Sequence, residues 1–195
     1  MPRRIIRLML SLAVAATASH ALAASKVAII TGHDSPEGEA QMNKVAAIAS
    51  PQYSAKGYGV INALQATKAG IIGTLGDPSV THVVFCAHGV EGDDGQFEAQ
   101  LWIGPGTGPD AYLSFQEVIN LIPLNRRCAI KQVVFNCCGQ LKPEWQQAFP
   151  CATIHGWRTS VTFWSAQWDQ WWHGSERTTS KGGRGDTGPG MGEPD

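Results

Sequence analysis

The chain has 195 residues, of which 43% are hydrophobic, and its formal net charge is −1. The length suits one domain with a buried core, and the hydrophobic content is typical of a globular protein rather than a disordered one. The near-neutral charge, with no basic stripe in the body of the chain, argues against a nucleic-acid partner.

The N-terminal residues have the layout of a secretory signal peptide. Three arginines stand near the start, an apolar run covers about residues 8–18, and Ala-Leu-Ala at 21–23 forms a small-x-small cleavage site. The apolar run is too short to span a bilayer stably. We therefore predict a signal peptide over residues 1–23 and a secreted or periplasmic mature protein without membrane contact. An uncleaved anchor is the alternative.

Short apolar runs alternate with helix-like segments in the rest of the chain. Strands are predicted at 26–31, 58–64, 81–87, 131–136 and 152–156, with a small hairpin at 97–103. Helices are predicted at 39–49, where Pro51 is expected to end the helix, and at 67–75, 114–122, 143–149 and 165–172. The alternation predicts an α/β fold, a three-layer sandwich with a mainly parallel sheet of about five to six strands and helices on both faces.

The composition changes near residue 174. The residues that follow are rich in Gly, Ser, Thr, Pro and charge, which predicts a disordered tail over 175–195 and a folded domain over 26–174. Four tryptophans before this point recur at helical spacing and are expected to form a packing stripe over the sheet: Trp164, Trp168, Trp171 and Trp172.

Histidines and cysteines follow the predicted strands at the points where ligands bind in open parallel sheets. They are His33-Asp34 after the first strand, His88-Gly89 after the third, Cys137-Cys138-Gly139 after the fourth and His155 at the end of the fifth. An imidazole beside a thiol favours the nucleophilic thiolate and can protonate a leaving group. A neighbouring glycine lets substrate approach the backbone, whose amides can bind an oxyanion.

Two of these segments resemble the catalytic strands of caspases and metacaspases. Residues 83–89, Val-Val-Phe-Cys-Ala-His-Gly, resemble the family's histidine strand, which ends in His-Gly. Residues 133–139, Val-Val-Phe-Asn-Cys-Cys-Gly, resemble its cysteine strand, where apolar residues precede a polar residue, an alanine and the cysteine. His88 and Cys138 are 50 residues apart, which agrees with the caspase spacing. The strand and helix order over 26–156 also fits the family.

This resemblance implies a caspase-like cysteine endopeptidase that acts on proteins or peptides and needs no cofactor or metal. His88 would be the general acid/base, Cys138 the nucleophile, and the amides of Gly89 and Cys138 the oxyanion hole. Two positions depart from the family. Asn136 stands where caspases have Gln and metacaspases often have Asp, and Gln140 stands where the caspase motif ends in Gly. Asn136 and Asp34 are the candidate substrate-binding residues.

Several alternatives remain open from the sequence alone. The same fold could be a catalytically inert binding module, or His33, His88, His155 and Cys138 could form a metal site. The vicinal Cys137-Cys138 pair could act as a thiol–disulfide oxidoreductase, although it lacks the C-x-x-C spacing. Cys137 could also replace Cys138 as the nucleophile, because side chains alternate along a strand and only one of the two can face the cleft.

If the protein is exported, its compartment permits a disulfide between the two cysteines that lie away from the candidate site. Cys128 and Cys151 lie just before the fourth and fifth strands, which should be parallel neighbours, so their positions should be close together at the edge opposite the candidate site. Either a disulfide or two separate buried thiols fits this arrangement.

Overall fold

The computed structural model describes residues 25–32, 35–158, 168, 172 and 173. The strands are β1 (Lys26–Thr31), β2 (Gly59–Ala63), β3 (Val80–Cys86), β4 (His88–Glu91), β5 (Phe97–Trp102), β6 (Tyr112–Ser114), β7 (Gln132–Phe135) and β8 (Thr153–His155). The helices are α1 (Pro36–Ala55), α2 (Lys68–Gly76), α3 (Phe115–Leu121), α4 (Leu124–Ala129) and α5 (Pro143–Ala148), with a 3₁₀ turn at Pro109–Ala111.

The main sheet is parallel and has the strand order β2-β1-β3-β7-β8. Because successive side chains of a strand point to opposite faces, β1, β3 and β7 contribute to two separate cores. One core lies against α2, α3 and α5, and the other lies against α1. The predicted α/β fold, with a mainly parallel sheet and flanking helices, is confirmed, and the two cores are compatible with a three-layer sandwich.

Local capping chemistry explains where several helices begin. Ser35 and Thr67 accept hydrogen bonds from Gly38 N and Gly70 N, so they cap α1 and α2. The predicted capping box opens α3, because Ser114 accepts from Glu117 N while the Glu117 carboxylate accepts from Ser114 N. The structure thus confirms the expected starts of α2 and α3.

The first helix is longer than predicted, and the expectation that Pro51 ends it is wrong. α1 continues through Pro51 to Ala55. Proline removes one N–H and leaves the carbonyl of Ala47 without its helical donor, but both residues are exposed, so solvent can satisfy that carbonyl. Tyr53 continues the buried face beyond the proline at 3% exposure, and its packing stabilises the last turn.

The region after β3 forms a second sheet that is larger than the predicted hairpin. β4, β5 and β6 pair in antiparallel fashion, with His88 opposite Trp102 and Leu101 opposite Leu113. The short helix α4 was also not predicted. It contains Arg127, whose guanidinium donates to the carbonyls of Ile122, Gln147 and Ala148 and so caps the C-terminal end of α5.

Cys128 and Cys151 form a disulfide, with their Cα atoms 4.7 Å apart. This confirms the disulfide and excludes the alternative of two separate thiols. It lies just before β7 and β8, at the edge opposite the candidate site.

Trp168 and Trp172 pack into the α1-side core, where the ring centroids of Tyr53 and Trp172 are 5.0 Å apart. The predicted signal peptide (1–23) and the predicted disordered tail (175–195) lie outside the described residues, as do Trp164 and Trp171. What the sequence predicts for them stays a prediction. Where the structure describes the chain, none of its helices has the length and apolar character needed to cross a membrane.

Candidate active site

The candidate site lies at the carboxyl edge of the main sheet. β1 leads into α1 on one face, whereas β3 leads into the second sheet and α3 on the other, so the chain diverges between β1 and β3. Two hydrogen bonds continue the ladder beyond the strands, from Gly32 N to Cys86 O at 3.0 Å and from Asn136 N to Phe85 O at 2.8 Å. The ends of β1, β3 and β7 are therefore side by side, at the switch point where open α/β sheets bind ligands.

The three cysteines at this edge, all outside the disulfide, differ in accessibility. Cys86 and Cys137 are fully buried, and the Cys137 thiol donates to the Phe85 carbonyl at 3.3 Å. Burial raises the pKa of Cys86 to about 12 and raises the pKa of Cys137 well above its usual value, because the thiolate loses its solvation. Cys138 is partly exposed. The arrangement favours Cys138 over Cys137 as the reactive thiol.

The turn that presents Cys138 depends on glycine. Gly139 has a φ of +60°, in the left-handed region, and a Cβ at this position would overlap the ring of Phe97. Any other residue would strain the backbone and displace the second sheet.

The segment with His88 packs directly on this turn. His88 is the first residue of β4, and its ring centroid lies 6.2 Å from that of Trp102 on β5. A Cβ added to Gly89 would overlap the carbonyl oxygen of Cys138. The structure thus brings together the two segments that contain the predicted catalytic pair, and their close approach requires glycine at position 89.

Two residues near the pair were missed by sequence reasoning. The side chain of Gln140 is fully buried and hydrogen-bonds to both Glu98 and Trp145. Trp102 borders His88 on one side and Tyr112 on the other, with ring centroids 6.2 and 6.0 Å away. The sequence did offer one indication for Gln140, because it stands where the caspase motif has a glycine. No feature of the sequence around Trp102 indicated that it lies beside His88.

Of the other predicted site residues, Asn136 is buried, His155 is half-buried, and two are not described. Asn136 is 1% exposed, and its side chain hydrogen-bonds to the Cys86 thiol, so it faces the interior rather than an open cleft. His155 ends β8 and is half-buried. His33 and Asp34 lie outside the described residues. Among the residues that are described, no group of three or more His, Cys, Asp or Glu side chains is arranged to hold a metal ion.

A cavity of about 450 Å³ opens farther along the same edge, between the turn before α2 and the loop after β5. Its walls are largely apolar and include Ala69 and Ile103. Lys68 also lines it, but its ammonium group is held by the Pro109 carbonyl at 2.6 Å and by the Glu117 carboxylate. The cavity is thus a second concave surface at this edge of the sheet, and the Lys68 ammonium group that lines it is already paired.

No family model matches the chain, and no curated protein sequence matches it. A functional assignment therefore depends on the geometry of the site and on the resemblance of the two strands.

Proposed function

We propose that this protein is an exported, caspase-like cysteine endopeptidase with Cys138 as nucleophile and His88 as general acid/base. The contact between Gly89 and the backbone of Cys138 is the main support, since it brings the start of β4 against the turn at Cys138-Gly139, which we call the cysteine turn. A nucleophile and its base must lie within hydrogen-bond reach when substrate binds, and free enzymes often show looser geometry.

The proposed reaction has two halves that balance in protons. His88 accepts the Cys138 proton as the sulfur attacks the scissile carbonyl, and the amides of Gly89 and Cys138 stabilise the oxyanion. The imidazolium then protonates the departing amine, which leaves an acyl-enzyme thioester. His88 next removes a proton from water, the hydroxide attacks the thioester, and the acid product leaves as Cys138 regains its proton. These steps require no cofactor.

Two further observations support this proposal. Cys138 is the accessible one of the three cysteines outside the disulfide, whereas burial of Cys86 and Cys137 favours their protonated form. The Cys128–Cys151 disulfide is compatible with the oxidising compartment that an exported protein reaches. The proposed substrate class, a protein or peptide, is the one that the resemblance to caspases implies.

Peptide-library profiling of the protein tests the proposal. We expect hydrolysis by the wild type and a loss of at least about 100-fold in both Cys138→Ser and His88→Ala, because the two residues act as one unit. His82→Ala is the matched control. His82 contacts Tyr58 and Thr81 near the opposite end of β3, so its replacement should leave hydrolysis intact. Wild-type protein that cleaves no library peptide but binds some of them would instead indicate an inert binding module.

A further inference from the structure

Gln140 makes two hydrogen bonds that join separate parts of the fold. Its amide nitrogen donates to the backbone carbonyl of Glu98 on β5 at 2.9 Å. Its amide oxygen accepts from the indole N–H of Trp145 on α5, also at 2.9 Å. Gln140 is 0% exposed, so solvent cannot replace either bond. We call Gln140 with these two partners the Gln140 bridge.

The Gln140 bridge links the segments of the proposed catalytic pair. Gln140 is two residues beyond Cys138 in the chain, while β5 pairs with β4, which begins at His88. The amide nitrogen of Gln140 also lies 2.9 Å from the position that a Cβ on Gly89 would occupy, so the side chain borders β4 as well. One buried side-chain amide, two residues after Cys138, therefore borders β4 and hydrogen-bonds to both β5 and α5.

We propose that Gln140 is a positioning residue that holds Cys138 at its working distance from His88. The inference extends the proposed function and depends on it. Gln140 reaches β5 because it is long, polar and buried, and the glycine that ends the caspase motif at this place has no side chain to do so. The positioning role is therefore a property of this chain rather than of the family pattern. Because misplacement by about 1 Å can cost a catalyst about 100-fold, a small shift of the turn suffices for a large effect.

A positioning role and a purely structural role predict different results. Loss of a structural hydrogen bond lowers stability but leaves the reactivity of the folded fraction unchanged. Loss of a positioning bond lowers kcat and the alkylation rate of Cys138 in protein that is still folded, with little change in KM. Alkylation is measurable whether or not the protein hydrolyses peptides.

The test compares two glutamines with the same kind of tryptophan partner. Gln140→Met keeps the side-chain length and removes both bonds of the Gln140 bridge. Gln52→Met is the control, since Gln52 accepts from the Trp168 indole at 2.7 Å near the C-terminal end of α1, on the opposite face of the sheet. We expect Gln140→Met to lower iodoacetamide alkylation of Cys138 and kcat at least about tenfold, with KM within about twofold. The control should stay within about twofold of wild type for all three quantities.

The possible outcomes separate the inference from the proposed function. Wild-type reactivity and kcat in folded Gln140→Met overturn the inference and leave the proposed function standing. Wild-type Cys138 that reacts no faster than a free cysteine, with no peptide hydrolysis, overturns the proposed function and the inference together. If Gln140→Met does not fold, Gln140→Asn replaces it, because its amide is one methylene shorter and cannot reach both partners. Unchanged alkylation in that folded variant also overturns the inference.

Discussion

Replacing Gly89 with alanine tests the contact on which the proposed site depends. The new Cβ would overlap the carbonyl oxygen of Cys138 and would lie 2.9 Å from the side-chain nitrogen of Gln140. Ordinary contact between carbon and a heavy atom needs about 3.5 Å, so β4 and the cysteine turn must separate by roughly 1 Å or more. We expect a loss of about 1–3 kcal/mol in the free energy of unfolding. The accompanying fall in kcat should be about 100-fold.

Gly73→Ala is the matched control for this substitution. Gly73 lies inside α2, it is exposed, and a Cβ there meets no atom within 4 Å. Alanine should raise stability by up to about 1 kcal/mol, because glycine is a poor helix former. Urea unfolding gives the stability of both variants, and steady-state peptide hydrolysis with iodoacetamide labelling gives the reactivity of Cys138. A Gly89→Ala protein with wild-type stability and wild-type Cys138 reactivity would refute the packing of β4 on the cysteine turn.

Three further predictions concern the cysteines. The first is removal of the disulfide by the double substitution Cys128→Ala and Cys151→Ala. Because the disulfide joins residues 23 apart, its loss should lower the free energy of unfolding by about 3 kcal/mol and the thermal midpoint by roughly 6–12 °C. An unchanged midpoint would contradict this prediction. In the second, limited iodoacetamide treatment followed by mass-spectrometric mapping should find Cys138 modified and Cys137 unmodified, because burial raises the pKa of Cys137. Modification of Cys137 without Cys138 would reassign the nucleophile. Burial raises the pKa of Cys86 from its ordinary value of 9.0 to about 12, so the unfolded chain loses this proton at a lower pH than the folded protein does. The stability that the buried, protonated thiol contributes is therefore complete below about pH 9 and is lost as pH rises towards 12. Urea unfolding between pH 8 and 11 should therefore show a shallower alkaline decline in Cys86→Ala than in wild type.

The features that local sequence determines were predicted well. The buried strands are short apolar runs bounded by turn residues, and the structure has β3 and β7 within one or two residues of the expected ranges. The capping box at Ser114 followed from local chemistry. The expected order of parallel strands predicted that Cys128 and Cys151 lie close together, but it left the choice between a disulfide and two separate thiols open.

The features that depend on contacts between distant residues were not predicted. The extension of α1 past Pro51 depends on the packing of Tyr53, which a propensity argument does not contain. The Gln140 bridge joins residues 42 positions apart, and no periodicity indicates that Gln140 should reach Glu98. The substrate-binding role of Asn136 stays a prediction, but its place at a strand end did not indicate its burial or its hydrogen bond to Cys86.

The alkylation rate of Cys138 in wild type, His88→Ala and His82→Ala is the sharpest test of the proposed catalytic pair. Measured with iodoacetamide near neutral pH on folded protein, it reports whether an imidazole activates this thiol, without any assumption about the substrate. If His88 activates Cys138, His88→Ala slows the reaction at least about tenfold, while His82→Ala, altered near the opposite end of β3, reacts like wild type. Equal rates in wild type and His88→Ala, at the value of a free cysteine, would contradict the catalytic pair and leave His88 as a structural residue of β4.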